Sequence, residues 1–267
     1  MNRIKEKNIP ILSILLSLLI LPLLTSSVRP PKPDAKYEKY AKKPLLLIAE
    51  FLPVNPVILE AGAHYGNDTL KFKQMWPEAK ILCFEPNPHA FTELSAKTEG
   101  IRNIHRYPIA LNNYNGFATL YLCYGSNGDE PIYEGASSLL EPSERMQIHY
   151  QGPKIEVPCV VLDDWCKEHQ IEQIDFMWLD LEGLEIQVLQ SSPKILEKVK
   201  VIYTETNFEK FRVGTTLYKH LADFLQTQGF TLLVHWYVEN SIKQGNAIFV
   251  KKPEVSFLRY LDSILFR

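Results

Sequence analysis

Val57-Ile58-Leu59-Glu60-Ala61-Gly62-Ala63-His64-Tyr65-Gly66, followed beyond a short helical stretch by Ile81-Leu82-Cys83-Phe84-Glu85-Pro86, decides the fold. An apolar strand runs into a glycine turn that opens a helix, and the next strand ends on a carboxylate 19 positions after Gly66. Units of this kind hold nucleosides. The turn and helix N-terminus bring backbone amides to the ligand, and an acid about 20 residues on accepts the ribose hydroxyls. A dinucleotide fingerprint needs glycine at the first, third and sixth positions, but His64 occupies the third, so a pyrophosphate would be crowded. A nicotinamide-dependent oxidoreductase is therefore the disfavoured alternative. Glu60, two places before Gly62, suits a ligand with a cationic tail, such as the methionine ammonium of S-adenosylmethionine. The bland reading, glycines placed for turn geometry alone, is weakened by the pairing with Glu85.

With 267 residues, 46% hydrophobic and a formal charge of −2, the chain can bury the core of one full α/β domain and has no bulk attraction to nucleic acid. Cys83, Cys123, Cys159 and Cys166 form no C-x-x-C pair and no zinc spacing. Cys83 and Cys123 lie in apolar runs that favour buried thiols. No pattern fixes an oligomeric state.

Residues 1–27 stand apart from the fold. Three basic residues precede an apolar stretch from Ile9 to Leu24, which is short for a membrane span and ends on small residues like a secretory signal. The six basic residues after it favour instead a membrane anchor with the domain facing the cytoplasm. Both readings stand, as does an exported, non-catalytic protein retaining the fold. Residues 28–44 read as a Pro- and Lys-rich linker able to lie against anionic lipid, residues 45–252 as the domain, and 253–267 as a C-terminal helical tail.

Strands and helices alternate through the domain. Helices are expected over Leu45–Leu52, from an Asn67 or Asp68 cap to Met75, and over Pro88–Ala96, Asp163–His169, Gly183–Gln190 and Thr215–Gln228. Strands are expected over Val57–Ala61, Lys80–Phe84, Asn103–Pro108, Phe117–Tyr124, Lys154–Val161, Ile174–Leu179, Val199–Thr204, Phe230–Tyr237 and Asn246–Lys251. The last two would form a hairpin about Asn240–Gly245. The loop from Gly125 to Pro142 is a candidate lid. Such alternation implies a mostly parallel sheet covered on both faces, with its ligand at the strand carboxyl ends. Glu60, Glu85, the Asp180–Gly183 stretch, and Glu205 with Asn207 all fall at such ends. As acids next to helices they could instead complement helix dipoles.

Leu59–Gly66, Cys83–Pro88, Val161–Trp165 and above all Asp180-x-Glu182-Gly183-x-Glu185 together resemble the FkbM family of S-adenosylmethionine-dependent methyltransferases, over roughly residues 57–250. The resemblance implies the class I methyltransferase fold, Rossmann-like and seven-stranded with an antiparallel last strand. It also implies O-methylation of a hydroxyl on a sugar or small-molecule metabolite. Trp178 stands where family members often carry lysine, and Glu60 where an aspartate is common; the leader is unusual for the family.

Methyl transfer from a sulfonium asks mainly that the acceptor oxygen be held about 3–3.5 Å from the methyl carbon. A general base then removes the hydroxyl proton. Asp180 and Glu182 are the first candidates and His64 the second, with contact to the cofactor the stronger expectation for His64. The expected cofactor set is Glu60, Gly62, Ala63, His64, Gly66, Glu85, Asn87 and Ala110. Ser137 and Ser138 could add hydroxyls. Asp180, Glu205 and Asn207 could together bind Mg²⁺. Trp165 and Trp178 read as core, and Trp236 and Tyr237 as possible substrate-facing exceptions.

Overall fold

The computed structural model describes residues 43–124, 134–238 and 243–251. The leader, most of the linker, the C-terminal tail, the first half of the candidate lid and much of the hairpin turn lie outside the described residues. The elements are α1 (Pro44–Ala49), β1 (Val57–Ala61), α2 (Asn67–Met75), β2 (Lys80–Phe84), α3 (Pro88–Lys97), β3 (Ile104–Tyr107), β4 (Ala110–Leu111), β5 (Gly116–Tyr121), β6 (Lys154–Val160), α4 (Leu162–Glu168), β7 (Phe176–Leu179), α5 (Glu185–Gln190), α6 (Pro193–Leu196), β8 (Val201–Asn207), α7 (Tyr218–Thr227), β9 (Phe230–Tyr237) and β10 (Gln244–Lys251). Among them no helix is long and apolar enough to cross a membrane.

β1 is an interior strand of the main sheet, whose order is β3-β2-β1-β7-β8-β10-β9. It pairs in parallel with β2 and β7, and β10 inserts antiparallel between β8 and β9. This is the expected seven-stranded arrangement with its last strand reversed. Strands that are apolar on both faces demand cover on both sides. Leu59, Ala61, Leu82 and Met177 face one cluster with Trp165, Val188 and Leu221 of α4, α5 and α7. Ile58, Ile81 and Phe176 face the other with Leu47, Phe72 and Leu94 of α1, α2 and α3. Each such side chain, fully buried, contributes about 1.5–3 kcal/mol. Phe117–Tyr124 and Lys154–Val161 do not join this sheet; β5 and β6 pair antiparallel and, with β4, form a separate three-stranded sheet.

Several helix starts differ from expectation for tertiary reasons. Gly66, left-handed at φ +74°, precedes α2 without a side-chain cap from Asn67 or Asp68. Asp163 lies inside α4, and its oxygens accept from the amides of Lys194 and Ile195 at the head of α6. The Gly183–Gln190 helix begins only at Glu185, because Glu182 and Gly183 are left-handed at φ +54° and +105°. The Thr215 helix begins only at Tyr218, since Thr215 is hydrogen-bonded to Arg212 and Thr216 to Gln187. All four cysteines are buried thiols outside any disulfide.

Candidate active site

The carboxyl ends of β1, β2 and β7 open onto a cavity of about 200 Å³ lined on one side by Gly62, Ala63 and His64 and on another by Glu85 and Asn87. Ile109, Ala110 and Leu111 give it an apolar slot, and Asp180 and Trp178 close the β7 side. The described half of the candidate lid, Glu134 to Leu139, supplies the remaining wall.

The glycine turn serves close approach rather than amide donation. The amides of Gly62 and Ala63 donate to the Phe84 carbonyl at 3.0 and 3.1 Å, that of Gly66 donates to Ala63 at 2.8 Å, and that of His64 to Glu85 Oε2 at 2.7 Å. A side chain at Gly62, where φ is +83°, would put Cβ 2.1 Å from the Asp180 carbonyl oxygen, so only glycine lets β1 and β7 end this close together. Gly66 lies off the cavity; its missing side chain makes room for Leu94 Cδ1, 2.7 Å from an added Cβ, and so for α2 against α3.

Glu60 is a correction. It shares the face of β1 with Ile58, away from the cavity, is 1% exposed, and accepts hydrogen bonds from Thr69 Oγ1 at 2.5 Å and Cys83 Sγ at 3.5 Å. Burial pushes its carboxyl up to about 8, against the lowering by Thr69. It cannot reach a ligand ammonium from there. Glu85 does line the cavity. Its Oε1 accepts the Asn87 amide at 2.8 Å, and burial raises it to about 7 although these backbone bonds pull the other way. Asn87 caps α3 through Oδ1 to the His89 amide at 3.1 Å. His64 stacks on Tyr65 with 3.7 Å between ring centres, and burial lowers its pKa, which favours neutral imidazole.

Asp180, Glu182 and Glu205, at the ends of β7 and β8, bring one carboxylate oxygen each within 4.8 Å of one another. Three such charges crowded together raise one another. Asp180 is raised above the usual carboxylate range, first through desolvation and then through Glu182 and Glu185, although its side chain is open to the cavity; Glu205 is raised by desolvation, Glu182 and Asp180. Asp180 borders the cavity, whereas Glu182 turns onto Arg212, whose Nη2 lies 2.7 Å from its Oε2. Asn207 adjoins the group: its Nδ2 donates to Glu205 Oε2 at 3.5 Å, and Gln244 Nε2 donates to Asn207 Oδ1 at 3.2 Å and to Glu205 Oε1 at 3.1 Å. Glu182 joins Asp180 and Glu205 of the expected set in this grouping. Trp236 packs near Tyr203 in the sheet, and Tyr237 lies against Phe208, away from the cavity lining.

Arg212, Tyr150 and Glu134 carried no sequence signal. Arg212 is 2% exposed and donates to Tyr150 Oη at 2.6 Å and to the Ala136 carbonyl at 2.7 Å as well as pairing with Glu182. It thereby ties the lid segment to the acidic rim. Glu185, 1% exposed, accepts the amides of Leu181 and Gly183 at 3.1 Å each and holds the left-handed loop that presents Asp180.

Comparison with known proteins places the sequence in a methyltransferase family. A family profile described as the methyltransferase FkbM domain matches residues 60–232. The 2-O-methyltransferase NoeI of Sinorhizobium fredii is 31% identical over 175 residues, 64% of this chain and 71% of that protein. The methyltransferase sdnD of Sordaria araneosa is 29% identical over 183 residues, 58% of this chain and 68% of its own. Among solved structures, a methyltransferase FkbM from Methylobacillus flagellatus KT superposes with a TM-score of 0.47 at 9% identity, covering 73% of this chain and 44% of that one. The chain thus spans less than half of that structure's length.

Proposed function

The chain belongs to the FkbM methyltransferase family, and on that footing we propose that it transfers a methyl group from S-adenosylmethionine to a hydroxyl of a sugar or small-molecule acceptor. The observation that carries this reading is the junction of two environments in one cavity. An apolar slot at Ile109–Leu111 with Glu85 beside it suits adenosine, and Asp180 stands at the far side next to Glu205. The donor's ribose would hydrogen-bond to Glu85, and the purine would lie in the slot. The homocysteine part would lie along Gly62–His64, which line the cavity.

The acceptor oxygen would then approach from the acidic rim, in line with the sulfur and methyl carbon. Asp180, raised by its surroundings, takes the hydroxyl proton as the carbon–oxygen bond forms and the carbon–sulfur bond breaks. A base of this kind contributes about 10²–10⁴-fold, and the remainder comes from positioning. Glu182 and Arg212 shape the rim rather than touch the reacting atoms. The activity for which the NoeI relative is named, methylation at a 2-oxygen, supports an oxygen acceptor here.

Purified protein incubated with methyl-tritiated donor and a panel of glycosides and polyols tests the reading. It expects label in an alkali-stable methyl ether. Label confined to amines or to alkali-labile esters would refute it. A magnesium-assisted form of the same reaction is favoured by one observation, the 4.8 Å grouping of Asp180, Glu182 and Glu205. In that case dialysis against EDTA abolishes transfer and Mg²⁺ restores it.

A further inference from the structure

Glu134 belongs to a segment connecting β5 to β6, yet it is 4% exposed and lines the same cavity as Glu85. Its neighbours come from the glycine turn and the head of α3. His89 Nδ1 lies 3.0 Å from each of its oxygens, Asn87 Nδ2 donates to Oε2 at 3.5 Å, and His64 Nε2 is 3.6 Å away. Among these partners there is no lysine or arginine, and His64 Nε2 is buried without a hydrogen bond among the described residues. Glu85 in turn has one backbone amide on each oxygen, which leaves each oxygen with room for one more donor. Two carboxylates in one cavity repel, and Glu134 is one of the charges that raises Glu85. A ligand that brings two adjacent O–H donors between them relieves that repulsion. A ribose cis-diol is such a ligand, and the Glu85 position already marks where it sits.

We infer that Glu134 is the second carboxylate of the nucleoside cradle: Glu85 and Glu134 take the two ribose hydroxyls from facing walls. The inference rests on the donor reading above. It also gives the segment a function, because Ala136, two residues on, is the residue whose carbonyl Arg212 holds beside Glu182. The residue that would hold the ribose and the residue bound by Arg212 thus lie two positions apart in one segment.

Calorimetry on the full chain with S-adenosylhomocysteine and its 2′-deoxy and 3′-deoxy analogues tests this. Glu134→Ala should weaken S-adenosylhomocysteine at least about tenfold, the scale of one hydrogen bond to a charged acceptor. Glu134→Gln, which keeps the volume, should weaken it about threefold. Both losses should fall below about twofold for the analogue that lacks the hydroxyl facing Glu134, as expected when mutation and ligand change remove one shared contact. Equal losses for all three ligands would overturn the inference and leave Glu134 a clasp for the segment. Wild-type affinity in both Glu134 variants, beside lost affinity in Glu85→Ala, would overturn it while the donor reading stands. A wild-type protein that binds none of the ligands would overturn both.

Discussion

Glu60→Gln isolates a buried acid that its place before Gly62 assigns to the cofactor and that the structure buries off the cavity lining. With its carboxyl raised from 4.5 to about 8, Glu60 stays protonated in the folded chain while the unfolded chain ionises near 4.5. A folded-state pKa raised in this way gives stability that is fully present below pH 4.5 and is lost as pH rises to about 8. At about 1.4 kcal/mol per unit, the loss between pH 5 and pH 7 is about 2.5 kcal/mol. Glutamine keeps an oxygen for Thr69 Oγ1 and turns its amide toward Cys83, so it retains the packing and removes the titration. The assay is urea unfolding of both proteins at pH 5, 6, 7 and 8. The variant should gain on the wild type steadily across that range, ending about 2–3 kcal/mol ahead at pH 7 relative to pH 5, with S-adenosylhomocysteine affinity unchanged within twofold. Raised Glu85 and Glu185 titrate in the same range but cancel in the difference. A gap that does not move with pH would refute the burial argument, and a tenfold loss of affinity would return Glu60 to the cofactor site.

Gly62→Ala meets the Asp180 carbonyl at 2.1 Å and costs about 1–2 kcal/mol for its left-handed backbone alone; thermal melting should fall by several degrees, and an unchanged melt would contradict the close approach of β1 and β7. Asp180→Asn should slow transfer by about 10²–10⁴-fold with S-adenosylhomocysteine affinity nearly kept, and in the wild type the rate should rise with pH through a value above the ordinary carboxylate range, because the base must lose its proton first. Full activity in Asp180→Asn would remove the base from this position. His235, 2% exposed and lowered to about 4 by burial, gives stability present above its unfolded value near 6.5 and lost as pH falls toward 4. That loss is about 3 kcal/mol, and His235→Gln should show a shallower acid decline in denaturant titrations; parallel curves would count against it.

The sheet was legible because each strand carries its own signal. Val57–Ala61 and Lys80–Phe84 are short apolar runs bounded by turn residues, and Glu85 follows at the spacing a nucleoside site requires. The acids at strand ends were legible for the same reason, since strand direction alone sends Asp180 and Glu205 to one rim. Which face an acid takes is a finer matter. Side chains alternate along β1, so Glu60 goes with Ile58 toward α2 while Ala61 faces the opposite cluster. Parity holds that answer, and the motif around the glycine turn obscures it. Asp163 capping α6 and Arg212 joining Ala136, Tyr150 and Glu182 depend on contacts between residues 30 to 76 positions apart, for which no local pattern exists. Glu134 was hidden likewise in a loop whose polar composition reads as solvent-facing.

A structure of the protein crystallised with S-adenosylhomocysteine tests the central claim most directly. The account places the ribose at the Glu85 carboxylate, the purine against Ile109–Leu111, the homocysteine part over Gly62–His64 and the sulfur toward Asp180. Density for the nucleoside anywhere other than the crevice between β1 and β2, in a correctly folded protein, would contradict it.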